Sequence, residues 1–426
     1  MRLKNALVRY ADQKNEEDLI FSSEKLSASI QSSRDVYHIE ADGTLTSKKV
    51  KIKKSSFLEG KSFDINADLI YDDGKKILTV EPSILKLKGS EFTVKGMYDW
   101  AKTPLIDITV DGKDTNIQTI LSLLPETTSQ QFTKYESRGE TYFSAALKGS
   151  VTSTKNPGLI VAFGLKEATI FHPDTKAQIT NATVEGSFAS SNLADLHQAS
   201  LVLKNMTGTL NGEAFEANLV IRDFIDSEVM LKFKGHVDAA SLAEFYPVKN
   251  IKDLSGSLLI DFAFEGKLAW LKNRNTAQKA TTNGTIEMQQ LNFLYGESQL
   301  AVNDLNGSLQ FTNNDLALSN VSLKAGNSDF IFNGFFKNII TFLLFENQPI
   351  GIEADLKSNF IDADELFLVG FASNNNDNDY QFSISPNLNL SFNCDVRLLR
   401  YQRFVAHALK GDLLVKDEVA VSRNTK

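Results

Sequence analysis

Residues 165–174 read LKEATIFHPD, and two other stretches are versions of it: LKNALVRYAD at 3–12 and MQQLNFLYGE at 288–297. A second element keeps step with them, DAASLAEFYP from Asp238 and DADELFLVG from Asp362, while Pro125 and Pro247 close two helix-like runs. A recurrence of roughly 120 residues that joins strands to a short helix predicts a tandem array, in which each unit buries its apolar face against its neighbours. The expected units are 1–130, ending in a helix at 114–125; 131–250, ending in a helix at 238–247; 251–370, with a helix at 362–369; and 371–426, the incomplete start of a further repeat.

Between these landmarks the chain has a period of two. Ile106, Ile108 and Val110 alternate with Asp107, Thr109 and Asp111; Val229, Leu231 and Phe233 alternate with Met230, Lys232 and Lys234. Leu258, Ile260, Phe262 and Phe264 carry Asp261 and Glu265 on their other face, and Ile350, Ile352 and Ala354 are separated by Gly351 and Glu353. Alternation of this kind predicts half-buried strands with one apolar face. Asp42-Gly43, Asp73-Gly74, Asp111-Gly112, Asn211-Gly212, Asn283-Gly284, Asn306-Gly307 and Asn333-Gly334 are the dipeptides that accept positive φ in tight hairpins, so the sheet is expected to be mainly antiparallel.

The helices are expected once per repeat. Ile117, Ile120, Leu121 and Leu124 have helical spacing; Leu242, Phe245 and Tyr246, then Ala363, Leu366 and Phe367, repeat it. Asp238 and Asp362 suit the N-cap, and Glu365, three residues after Asp362, suits a capping box.

Composition bounds the function. An apolar fraction of 42% with 23% charged residues marks a folded chain, and a net charge of −8 with a pI near 5.4 argues against nucleic acid, which needs a basic face. The lone Cys394 leaves no disulfide framework and no multi-cysteine zinc site. Neither a signal-peptide core at the start nor any apolar run near about 20 residues is present. His38, His172, His197, His236 and His407 are scattered, and no H-E-x-x-H, P-loop, G-x-S-x-G or G-x-G-x-x-G after a strand occurs. The chain therefore reads as non-enzymatic, without cofactor or metal.

Lys48–Lys54 reads as a lysine-guarded edge strand, with anionic headgroups as the other reading, and Asn374–Asp379 as a surface loop. The apolar strand faces must be buried against a second sheet, against helices or against a ligand. The helices are too few to cover every strand, so a partly open face and a closed sandwich core both remain.

Several stretches in order carry a family likeness: L-x-N-A-x-V-x-Y-x-D at 3–12, LSLLP at 121–125, ITNATVEGSF at 179–188, L-x-G-E-A-F-E-A-N-L at 210–219 and GNSDFIFNG at 326–334. Together they resemble the AsmA-like proteins of Gram-negative bacteria, particularly those of Bacteroidetes, over almost the whole chain. The resemblance implies an elongated, mainly antiparallel repeating β-groove, a curled sheet whose apolar troughs carry phospholipid in support of outer-membrane biogenesis. It also implies a periplasmic location, attachment to the inner membrane, and links to outer-membrane assembly proteins. The family's anchor and first β segment have no counterpart here, so the chain reads as an internal portion of such a protein. On this reading Ile106, Ile108, Val110, Val229, Leu231, Phe233, Leu258, Ile260, Phe262, Phe264, Ile350, Ile352 and Ala354 line the groove. The rival is a periplasmic scaffold with a closed β-sandwich core that modulates outer-membrane protein assembly.

Overall fold

The protein is described by a computed structural model that covers the chain apart from residues 1, 14–16, 53–54, 57–58, 114, 117–118, 120–135, 153–155, 172–177, 194, 246–250, 273, 278, 297–298, 314, 339–349, 371–387, 417–418 and 424–426. It is mainly β with few helices. Two compact units divide it: Met1–Thr209 with Asn218–Ile225, and Leu210–Ala217 with Asp226–Lys426.

The first unit is a meander. Its strands are β1 (Arg2–Asp12), β2 (Glu17–Ser33), β3 (Val36–Ile52), β4 (Ser55–Ser56), β5 (Ser62–Asp72), β6 (Ile77–Leu87), β7 (Ser90–Asp99), β8 (Leu105–Lys113), β9 (Glu136–Ser150), β10 (Gly158–Phe171), β11 (Gln178–Ser190) and β12 (Ala199–Leu210). From β1 to β11 each strand pairs antiparallel with the next, β4 being a two-residue addition beside β3, which also pairs with β5. β13 (Glu213–Arg222) is divided between the units.

The second unit has β14 (Glu228–Asp238), α1 (Ala239–Phe245), β15 (Ile251–Lys267), α2 (Arg274–Ala277), β16 (Thr281–Tyr295), β17 (Leu300–Thr312), β18 (Asp315–Ala325), β19 (Ser328–Lys337) and β20 (Ile350–Ser358). Then come β21 (Ile361–Asp362), α3 (Ala363–Gly370), β22 (Leu388–Tyr401), β23 (Phe404–Lys416) and β24 (Val419–Arg423). Pairing is antiparallel from β14 through β20 and from β22 through β24, but β20 and β21 lie parallel to β22. A parallel pair needs a crossover, and the connection through α3 supplies it.

The expected regularity of one helix per repeat fails. The helix expected at 114–125 falls largely outside the described residues, and α2 together with single turns at Leu196–Gln198 and Trp270–Lys272 adds helix between strands, off the expected step. The buried side of α1 is also not the expected one: Ala239 is fully buried and Leu242 is 37% exposed. Asp238 caps α1, accepting from the Ser241 N–H and hydroxyl at 2.8 Å each. Asp362 does not complete a capping box. It takes an ion pair from Arg400, while Glu365 turns away to accept from the Asn327 N–H at 2.8 Å and Asp364 accepts from the Gln402 N–H at 2.7 Å. The carboxylates at the start of α3 thus hold the turns of two hairpins, β18–β19 and β22–β23.

Most of the expected turn dipeptides lie inside strands. Asn211-Gly212 is a two-residue turn with φ of 50° and 89°, as type I′ requires, and Asp73-Gly74 lies in the β5–β6 turn. Asp42-Gly43, Asp111-Gly112, Asn283-Gly284, Asn306-Gly307 and Asn333-Gly334 are mid-strand. Gly284 shows why: its φ is +141°, and a Cβ there would stand 2.0 Å from the Asp261 carbonyl oxygen. Only glycine allows β15 and β16 to approach so closely. Lys49, expected on a guarded edge, pairs with Ile20 of β2 on one side and bridges to Asp18 at 2.5 Å, while β5 pairs with β3 only as far as Thr46. Asn374–Asp379, Pro125 and Pro247 lie outside the described residues.

Candidate functional site

Residues directly opposite one another in a sheet share a face, so a chain of paired residues traces a line across it. In the second unit one such line runs Phe233, Phe262, Gly284, Phe311, Leu316, Phe336, Ile352, Leu390, Val415, from β14 to β23. Two residues along each strand a second line runs Gly235, Ile260, Ile286, Leu309, Leu318, Gly334, Ala354, Phe392, Leu413. No polar side chain interrupts either line. Across Gly284, the rings of Phe262 and Phe311 meet edge to face at 5.5 Å, and Phe215 stacks on Phe233 at 5.8 Å. Leu316 and Val415 are buried, whereas Phe233, Phe262, Phe311, Phe336, Ile352 and Leu390 keep part of their surface accessible.

The first unit carries a comparable face. Leu26, Gly43, Ile65, Leu85, Phe92, Gly112, Phe143, Phe163 and Gly186 form one line, and Ile39, Leu69, Val80, Gly96, Ile108, Leu147 and Leu159 a second. Phe92 is 2% exposed and anchors a cluster with Phe63 and Leu87, its ring edge-on to Phe143 at 6.0 Å. Near the hairpin turns this face ends in an aromatic ladder. Tyr37 stacks on Tyr71 at 5.9 Å, Tyr71 on Trp100 at 5.7 Å, and Tyr98 leans on Trp100 at 5.3 Å. The Tyr71 hydroxyl donates to Asp73, which raises the phenol's pKa; Lys76 donates to the same carboxylate at 2.6 Å and, with Tyr71, holds it below the usual range.

The opposite faces carry cross-strand polar pairs together with exposed apolar side chains, Tyr142 and Ile160 in the first unit and Leu259, Phe335 and Leu414 in the second. Asp107 pairs with Lys148 at 2.6 Å and Asp111 accepts from Ser144 at 2.8 Å in the first unit; Glu353 pairs with Lys337 at 2.7 Å and Asp395 with Lys410 at 3.0 Å in the second. These are exposed cross-strand pairs of small individual worth. Cys394 lies among half-buried apolar neighbours, and burial pushes its thiol pKa up.

Toward one end of the strands the apolar faces close over bulges. Glu167, Asn181 and Asn205 in the first unit, and Asp253, Gln290, Asp304 and Asn320 in the second, sit in the strands at φ between 49° and 54°. Pairing registers slip around Glu167, Asn181, Asp253, Gln290, Asp304 and Asn320. An L-residue adopts this left-handed conformation best when its side chain is short and polar, as most of these are. Each is followed by an apolar residue: Ala168 and Ala182 are buried in one cluster with Leu165, and Leu291 and Val321 in another with Met288, Leu318 and Ala239 of α1. At four bulges, a neighbouring strand's asparagine satisfies the backbone N–H. Asn218 Oδ1 accepts from Asn205 at 3.1 Å, Asn306 from Gln290 at 2.8 Å, Asn292 from Asp304 at 3.0 Å, and Asn333 from Asn320 at 2.7 Å.

The residues singled out from the sequence divide between these two faces. Ile106, Ile108 and Val110 share a face of β8 in the first unit; Val229, Leu231 and Phe233 of β14, Leu258, Ile260, Phe262 and Phe264 of β15, and Ile350, Ile352 and Ala354 of β20 share one face of the second. Sequence reasoning missed Ile286, Leu309, Phe311, Leu316, Leu318 and Phe336, which join β15 to β20 across the sheet. The alternation at 309–311 and 316–318 was available, but reading Asn283-Gly284 and Asn333-Gly334 as turns cut the strands short. Compared with known protein families, with curated proteins and with solved structures, the chain matches none.

Proposed function

We propose that the chain binds and passes phospholipid without catalysis, its half-buried apolar faces acting as troughs for acyl chains. The observation that carries this reading is the unbroken apolar line from Phe233 to Val415, most of whose side chains are half-buried. A trough removes acyl chain from water at about 0.8 kcal/mol per CH₂ while a headgroup stays hydrated at its open side. The AsmA-like resemblance supports the Gram-negative envelope as the setting. The proposed location is the periplasm, with attachment to the inner membrane in the complete protein. Lipid transfer there would support outer-membrane biogenesis, and outer-membrane assembly proteins are the proposed partners.

Native mass spectrometry of the protein purified from a Gram-negative periplasm tests this. Bound phospholipid in the wild type and its loss in a folded Phe233→Asp variant are expected. A lipid-free wild type, with Phe233→Asp unfolding outright, would instead make the face a sealed core and leave the scaffold reading.

A further inference from the structure

Four Asn-Gly pairs share one dipeptide and differ in their surroundings. Three lie within strands. Gly284 faces Phe262 of β15 and Phe311 of β17, Gly307 faces Met288 of β16, and Gly334 faces Leu318 of β18 and Ala354 of β20. A Cβ on any of them would meet backbone, at 2.0 Å from the Asp261 carbonyl oxygen, 2.6 Å from the Val321 Cα and 2.2 Å from the Glu353 carbonyl oxygen respectively. Two of the side chains are held as well, Asn306 and Asn333 accepting bulge N–H bonds at 2.8 and 2.7 Å.

Asn211-Gly212 is the exception. Both residues are exposed in the turn between β12 and β13, a Cβ on Gly212 would meet nothing within 4 Å, and among the described residues no hydrogen bond holds the Asn211 side chain. In a two-residue hairpin the closing bond joins Leu210 and Glu213, so the Gly212 nitrogen stands outside it. We infer that Asn211 is a site of spontaneous modification in the folded protein, deamidation to aspartate and isoaspartate with water as co-reactant. The Gly212 backbone nitrogen gives its proton to solvent and attacks the Asn211 Cγ. The new C–N bond closes a succinimide, and the side-chain nitrogen takes a proton from water and leaves as ammonia. Water then opens the imide: attack at Cγ restores the ordinary backbone as aspartate, and attack at the Asn211 main-chain carbonyl leaves the backbone running through Cγ as isoaspartate, one atom longer. Nothing is oxidised or reduced. With no Cβ on glycine, the attacking nitrogen is unshielded. In the strand-held pairs the ladder must open before the same atoms meet, which slows them by the fraction of time spent open. A two-residue turn has no slack for an added atom, so isoaspartate loosens the hairpin beside the buried Leu210.

Ageing the full chain at mildly alkaline pH, with peptide mapping for aspartate and isoaspartate at each pair, tests this. In the folded protein Asn211 should react at least about tenfold faster than Asn283, Asn306 and Asn333, whereas in guanidinium chloride the four should agree within about threefold, the dipeptide being the same. Hydrogen exchange at residues 206–217 should quicken in the aged wild type and stay unchanged in aged Asn211→Gly, which keeps a turn of positive φ. A folded-state rate at Asn211 no faster than at any strand-held pair overturns the inference, as does a reaction at Asn211 that folding slows as much as it slows theirs. Unchanged exchange in isoaspartyl wild type would overturn the loosening of the hairpin.

Discussion

The two units use one bulge and fill it differently. In the first, the residue after the left-handed Glu167 or Asn181 is small, Ala168 or Ala182, and packs within its own sheet against Leu165, Ile170 and Val184, while Met206 follows Asn205. In the second it is Leu254, Leu291, Leu305 or Val321, and these meet Met288, Leu258 and the fully buried Ala239 of α1. A bulge re-aims a strand and tightens its twist. Where the next residue is Leu291 or Val321 the cluster includes Ala239 of α1, and where it is Ala168 or Ala182 the cluster stays within the sheet. The contrast shows that the repeated motif is a backbone device, with the side chain after it free to vary in size.

The largest expected effects come from the close strand approaches, which the units share. Gly96 and Gly284 are equivalent: φ is +149° and +141°, and a Cβ would stand 2.0 Å from the carbonyl oxygen of Asp107 in one case and of Asp261 in the other. Gly96→Val and Gly284→Val should each cost ~3 kcal/mol or more, since both the conformation and the contact are forbidden to valine. Hydrogen exchange should speed up on β7 and β8 in the first variant and on β15 and β16 in the second. A Gly284→Val protein with unchanged exchange would mean that the second unit tolerates strand separation that the first does not.

The difference in bulge filling can be broken directly. Leu291→Ala removes a side chain from a cluster backed by α1 and should cost ~2–5 kcal/mol, depending on how far Met288 and Val321 collapse. Ala168→Leu adds volume where there is none and should cost ~1–3 kcal/mol. Urea unfolding with hydrogen exchange read in each unit measures both. Equal tolerance of leucine and alanine at residue 168 would show that the first unit has room for a cover it does not use.

Much of this was legible in the sequence, and the exceptions have physical reasons. Period-two alternation at 106–110, 229–233 and 258–264 marked strands and their apolar sides, because burial of one face leaves that trace whatever the sheet's partners. The repeated stretch was visible, but not its role: a polar residue followed by an apolar one looks like ordinary alternation, and the left-handed φ of Glu167 or Gln290 is invisible in residue type. The Asn-Gly pairs misled for a related cause. Glycine is required wherever strands crowd, and Asn306 and Asn333 are required where a bulge leaves an N–H unpaired, so the dipeptide arises mid-strand without a turn. The parallel step from β20 to β22 had no local signal, being set by the crossover through α3.

The asparagine partners should have smaller effects, similar in the two units. Asn218→Ala in the first and Asn306→Ala in the second each leave one bulge N–H to water, and because both sites are exposed the cost should be ~0.5–1.5 kcal/mol. Asn306 also donates to the Asp304 carbonyl at 2.8 Å, so its loss should be the greater of the two. Thermal unfolding of the single variants ranks them, and a larger effect at Asn218 would reverse the assignment.

The smallest effect separates the units by the origin of a carboxylate's stabilisation. Asp329 in the second unit is pushed up by burial, but the N–H groups of Asn359 and Phe360, at 2.8 to 3.1 Å, and the Asn359 amide at 2.9 Å outweigh this and hold it below its ordinary range. Asp18 in the first unit is lowered chiefly by Lys49 and then by Arg9, two exposed cations at 2.5 and 2.9 Å. A depressed folded-state pKa stabilises above the unfolded carboxylate value, about 3.9, and the contribution is lost as pH falls through the folded value. Asp329→Asn and Asp18→Asn should therefore both destabilise at neutral pH, with the difference from wild type vanishing in acid. Salt divides them. Dipoles fixed in the backbone are barely screened, whereas exposed ion pairs are, at a Debye length of about 3 Å in 1 M salt. The Asp18→Asn effect should shrink in about 1 M NaCl and the Asp329→Asn effect persist; equal salt sensitivity would show that Asp329 is stabilised by surrounding charge and not by the turn that holds it.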